Sequence, residues 1–122
     1  MRLLESGEMY LETILVLSQK MELVRAIDVG EYMGYSKPSV SRALSNLREG
    51  GYVTVNNEGH LSLTDEGLDI ASKIYERHRV LSTLLMQIGV PEDIAVSDAC
   101  KIEHDISDET FDAIKKHVAD KQ

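Results

Sequence analysis

The chain has 122 residues, 43% hydrophobic and 28% charged, a size that suits one domain or a small domain with a helical extension. Its formal net charge of −8 argues against a protein that coats nucleic acid indiscriminately. Apolar runs such as Ile14–Leu17 are too short to span a bilayer, and a single cysteine, Cys100, excludes an internal disulfide and fits a reducing cytoplasm. The opening segment turns acidic and helical at once, unlike a secretion signal.

In chain order, Met9, Leu11, Ile14, Leu15 and Leu17 predict an amphipathic first helix over 8–20. A second helix is expected over 24–35, ending near Gly34. A third, over 36–51, has Ser36 as candidate N-cap, Pro38 in its first turn and an apolar stripe of Val40, Ala43, Leu44 and Leu47. Residues 52–64 read as a β-hairpin, with Tyr52, Val53 and Val55 before the turn Asn56–Gly59 and an alternating return strand after it. A long helix follows from about Thr64 to Gly89. Residues 90–106 suit two short helices, and 107–122 a last helix opened by Ser107.

This order is that of a winged helix-turn-helix over residues 1–63, followed by an all-helical domain over 64–122. The expected fold class is therefore mainly α with a small β-hairpin. Residues 37–48 hold three cations (Lys37, Arg42, Arg48) and no acid, so an acidic protein carries one locally basic helix. The exposed face of that helix offers Ser36, Lys37, Pro38, Ser39, Ser41 and Arg42 to DNA. Arg42 suits a bidentate pair with guanine, Pro38 a thymine methyl, and Lys37 and the serines phosphates. Ser45 and Arg48 read as solvated surface. A small α+β domain with no nucleic acid is the plainer alternative for the same pattern.

Cys100, Glu103 and His104 fall at i, i+3 and i+4, on one face of a predicted helix. Thiolate, carboxylate and imidazole are common donors to divalent transition metals. Met9 and Glu12 share a face of the first helix, and His78 lies midway along the long one. Singly, each suits core filling or solvated surface; together they are six donors on three helices.

The segments EMYLETI, KPSVSRALSNL, LTDEG, ERHRVLSTLL and DACKIEHDIS resemble, in that order and spacing, the DtxR/MntR family of metal-dependent transcriptional repressors, over about residues 5–121. The chain ends before the SH3-like domain of the family's long members, so the resemblance is to the short, two-domain form. It implies metal ligands at Met9, Glu12, His78, Cys100, Glu103 and His104, with Pro38 and Arg42 approaching bases. It also implies a homodimer on a DNA operator, expected to be palindromic, with no membrane partner, repressing metal-homeostasis genes.

Met9 and Cys100 match the iron-type members, whereas Glu12 matches the manganese type. The positions of an ancillary carboxylate and histidine of iron-type members hold Ser82 and Val96. Sulfur donors disfavour manganese(II), so iron(II) is the expected co-repressor, with manganese(II) next and cobalt(II), nickel(II) or zinc(II) able to substitute in vitro. The competing reading is a winged-helix regulator of the MarR type, gated by an organic ligand or by oxidation of Cys100. No catalytic spacing such as HExxH occurs, and no enzyme is expected.

Overall fold

The structure, a computed structural model, describes residues 5–121, so residues 1–4 and 122, at the ends of the expected domains 1–63 and 64–122, lie outside it. The described elements run α1 (Glu5–Lys20), β1 (Val24–Arg25), α2 (Ala26–Met33), α3 (Lys37–Glu49), β2 (Val53–Val55), β3 (His60–Leu63), α4 (Asp65–Gln87), α5 (Glu92–Ile102) and α6 (Asp108–Lys121). Two compact units meet in sequence between Ser72 and Lys73, within α4.

The N-terminal unit is a winged helix-turn-helix. Leu11, Ile14, Val29, Val40, Leu44, Leu47, Val53, Leu61 and Ala71 belong to one buried core, drawn from α1–α3, the sheet and the start of α4. Leu11 and Ile14 are fully buried, so truncating either to alanine is expected to cost about 2–5 kcal/mol.

Its sheet has three strands, ordered β1-β3-β2 and antiparallel throughout. The predicted hairpin is β2–β3, with Val53 opposite Leu63 and Val55 opposite Leu61. The third strand was expected to be the first turn of a helix. Val24 and Arg25 instead stay extended and pair with Leu61 and His60. The reason is local: the Arg25 N–H donates to Asp28 Oδ2 at 2.9 Å, which sets the helix start two residues later than the apolar pattern suggests. Burial of Val24 at the sheet then favours the extended form.

Gly34 ends α2 with φ 74°, a left-handed conformation that favours glycine. Ser36 caps α3, its Oγ accepting from the Ser39 N–H at 3.4 Å, and Val40, Leu44 and Leu47 face the core. Gly67, in the first turn of α4, fits closely against the strand entry: a Cβ there would lie 2.1 Å from the Tyr52 carbonyl oxygen. That carbonyl accepts from the Thr64 N–H at 3.1 Å, joining the wing to the helix that follows.

The C-terminal unit is helical. Where two short helices were expected, α5 is a single helix: Ala95 and Ala99, four residues apart, are fully buried, and no glycine or proline interrupts 92–102. Pro91 precedes it, and a turn at 103–106 separates it from α6. Ser107 caps α6 by accepting from the Thr110 N–H at 3.1 Å. Lys115 of α6 pairs with Glu76 of α4 at 3.1 Å. No described helix is long and apolar enough to cross a membrane.

Candidate metal centre and nucleic-acid interface

In the C-terminal unit, α4 brings His78 to face Cys100 near the end of α5 and Glu103 just beyond it. One donor atom from each, imidazole nitrogen, thiol sulfur and carboxylate oxygen, lies within 4.8 Å of the other two. His78 Nδ1 is 2.9 Å from Glu103 Oε2. The Glu103 side chain is fully buried, that of His78 is 20% exposed, and Cys100 is exposed. The helical spacing of Cys100 and Glu103 supplies two donors from one face, and the long α4 supplies the third.

This arrangement has an electrostatic signature. Hydrogen bonding to the Cys100 sulfur, then to the Glu103 carboxylate, raises the His78 pKa to about 10, aided by the charges of both groups and opposed by partial burial. These neighbours therefore favour the protonated imidazole. Nitrogen, sulfur and oxygen donors gathered in one place fit a divalent transition metal, which would compete with that proton for the same atoms.

His104 follows Glu103 in the turn, with its Nε2 3.4 Å from Glu103 Oε1 and its side chain almost wholly buried. Met9 and Glu12 lie on α1 in the N-terminal unit, three residues apart and half-buried. Ser82, where iron-type relatives would place a carboxylate, is buried, and its hydroxyl donates to the His78 carbonyl at 2.7 Å. That position braces α4 and offers no carboxylate. Val96 is exposed and has no donor atom.

Arg77 escaped the sequence reading. Its guanidinium donates to the Glu103 carbonyl at 3.1 Å and to the Ile106 carbonyl at 3.0 Å, and it pairs with Asp108. Its place beside His78 was the available signal, but arginine is mostly found on solvated surface.

The N-terminal unit holds an open groove of about 820 Å³ between α2, α3 and the wing. Lys37, Pro38, Ser41, Ser45 and Arg48 line its α3 wall, facing Ala26 and Ile27 of α2 and Gly59 of the wing turn. Ser36, Ser39 and Arg42 are not among the lining residues. Ser36 and Ser39 hydrogen-bond each other at 3.0 Å at the start of α3, while Arg42 is exposed on the adjacent face. Ser45 and Arg48 thus share the groove with the expected residues, because 37, 41, 45 and 48 form one stripe of a helix.

Comparison with known proteins agrees with both halves of this description. Residues 2–61 match the family described as "Iron dependent repressor, N-terminal DNA binding domain". Residues 64–121 match "Iron dependent repressor, metal binding and dimerisation domain". The transcriptional regulator MntR of Escherichia coli O6:H1 is 33% identical over 106 residues, covering 87% of this chain and 68% of that protein. The iron-dependent repressor IdeR of Mycobacterium bovis is 32% identical over 108 residues, covering 88% and 47%. The solved structure of the manganese regulator SloR superposes with a TM-score of 0.83 at 28% identity, covering 93% of this chain and 53% of that one. The chain therefore spans about half the length of IdeR and SloR. With both family domains matched in order over nearly its whole length, the chain belongs to the iron-dependent repressor family of metal-dependent, DNA-binding transcriptional regulators, which are not enzymes.

Proposed function

We propose that this protein is a cytoplasmic, homodimeric repressor of metal-homeostasis genes with iron(II) as its preferred co-repressor and manganese(II) as the next. The observation that carries the reading is the meeting of His78, Cys100 and Glu103 donors within 4.8 Å. A thiol in that set favours an ion softer than manganese(II). His104 joins as a ligand next to Glu103. Met9 and Glu12 are proposed as ligands from the family resemblance, Met9 adding a second sulfur.

A bound ion supplies positive charge that offsets the Glu103 carboxylate and the Cys100 thiolate. The chain's own residues do the rest. Residues 64–122 carry the dimer contacts and four of the six proposed ligands, and residues 1–63 the DNA reading together with Met9 and Glu12. Lys37, Pro38, Ser41 and Arg42 meet the operator, with Ser36 and Ser39 at the start of α3, where helix N–H groups and small hydroxyls suit a phosphate. Two winged helices related by a two-fold axis suit a palindromic operator with half-sites about one helical turn apart. Moving such a switch from mostly inactive to mostly active needs about 5 kcal/mol of differential metal binding.

The test is operator binding by wild-type, Cys100→Ser and Cys100→Glu proteins titrated anaerobically with iron(II) and with manganese(II). The glutamate variant should gain manganese(II) response relative to iron(II). Unchanged preference would remove Cys100 as the selectivity residue. Metal-independent but peroxide-sensitive operator binding would favour a thiol switch at Cys100 instead.

A further inference from the structure

We propose that Arg77 is a positioning residue of the metal centre, holding the turn between α5 and α6 so that the Glu103 carboxylate faces His78. The inference rests on the metal reading above and concerns a residue outside its ligand set.

Consecutive residues of α4 grip Glu103 at its two ends. His78 Nδ1 meets the carboxylate at 2.9 Å, while Arg77 Nη1 donates to the backbone carbonyl of the same residue at 3.1 Å. Nη1 also donates to the Ile106 carbonyl at 3.0 Å, and Nη2 reaches the Asp108 carboxylate at the start of α6. The guanidinium lies 5.4 Å from the centre of the Phe111 ring, so packing as well as hydrogen bonding fixes its plane.

The location explains why a clamp is needed. Glu103 is the C-cap of α5, where terminal carbonyls lack partners within the helix and the last turn frays. A cation at that end satisfies those oxygens and complements the helix dipole. The Arg77 side chain is only 14% exposed, whereas Asp108 is 91% exposed. An ion pair with so exposed an acid adds little stability, so its effect is to orient the guanidinium. Arginine suits the task because its rigid fork serves three acceptors at once, which a lysine ammonium on a flexible stem does less well.

The same two helices provide a control. Lys115 and Glu76, both about half exposed, tie α6 to α4 at 3.1 Å with no bond to α5. Cobalt(II) is the probe, since its thiolate charge-transfer and ligand-field bands report the coordination sphere directly. Arg77→Met should weaken cobalt(II) binding by about tenfold or more and alter those bands, as loss of groups that orient ligands does elsewhere. Arg77→Lys should recover part of both. Lys115→Met should leave affinity and spectrum unchanged, even if it lowers the melting temperature of the metal-free protein as much as Arg77→Met does.

Wild-type affinity and spectrum in Arg77→Met, or an equal loss in Lys115→Met, would overturn the proposal. Should Arg77→Met not fold, Arg77→Lys and Asp108→Asn decide, and wild-type behaviour in both would overturn it. Glu103→Gln separates the two layers. Wild-type cobalt(II) binding in that variant would mean the metal reading fails, whereas loss there with none in Arg77→Met would mean that only the positioning role fails.

Discussion

His78 sits where a proton is favoured, and a metal bound there would displace it. Its pKa, raised to about 10 by the Cys100 sulfur and the Glu103 carboxylate, makes the metal-free site a proton-binding site at neutral pH. Metal binding should therefore release that proton, and apparent affinity should rise about tenfold per pH unit for each proton released. Calorimetric titration with cobalt(II) in buffers of different ionisation enthalpy between pH 6 and 8 measures the count. His78→Gln should release fewer protons, and a pH-independent affinity would contradict the assignment. The same shift bears on stability. A folded-state pKa above the unfolded value of about 6.5 means that the native state binds the proton more tightly. The resulting stabilisation is complete below that value and is lost as pH rises through about 10. Denaturant melts of metal-free wild-type and His78→Gln proteins should diverge most at the acidic end of this window and converge above it.

The helices and the wing are held by contacts whose loss can be measured one at a time. Ser36→Ala removes the α3 cap and should cost about 1 kcal/mol in urea unfolding. Gly67→Ala should cost more, because the new methyl would meet the Tyr52 carbonyl at 2.1 Å and force strand entry and helix start apart. A Gly67→Ala protein as stable as wild type would refute that packing. Much at this scale was legible in the sequence. Apolar spacing located α1, the cap and buried stripe located α3, and the turn residues located the β2–β3 hairpin. Two features were hidden because local pattern and tertiary context disagree there. Val24 and Arg25 continue a helical pattern yet pair with β3, and residues 90–106 resemble two helices yet bury Ala95 and Ala99 on one. Of the candidate site, Cys100 and Glu103 were visible in their spacing. Their meeting with His78 depends on how α4 and α5 pack, which no local spacing reports. The contacts of Arg77 were hidden for the same reason, since its partners lie 26–31 residues away.

At the scale of the whole molecule, an acidic protein has to approach a polyanion. Residues 1–60 hold 6 basic and 8 acidic side chains and residues 61–122 hold 7 and 13, so the C-terminal half contributes most of the repulsion. The cations Lys37, Arg42 and Arg48 concentrate attraction on α3, with Lys37 and Arg48 in the groove. Operator affinity should fall steeply with salt, and removing one phosphate-binding cation should reduce the logarithmic slope by about 0.9. Arg42→Ala should instead cost about 1–3 kcal/mol at one base position if it reads guanine. The central claim is that metal turns this binding on. Its most direct test is fluorescence anisotropy of a labelled operator, with chelator-treated protein and then with iron(II) or manganese(II) added anaerobically at matched free concentrations. Binding is expected to be weak without metal and tight with it, with the tight state reached at a lower concentration of iron(II) than of manganese(II). Tight binding that persists in chelator and ignores both ions would contradict it.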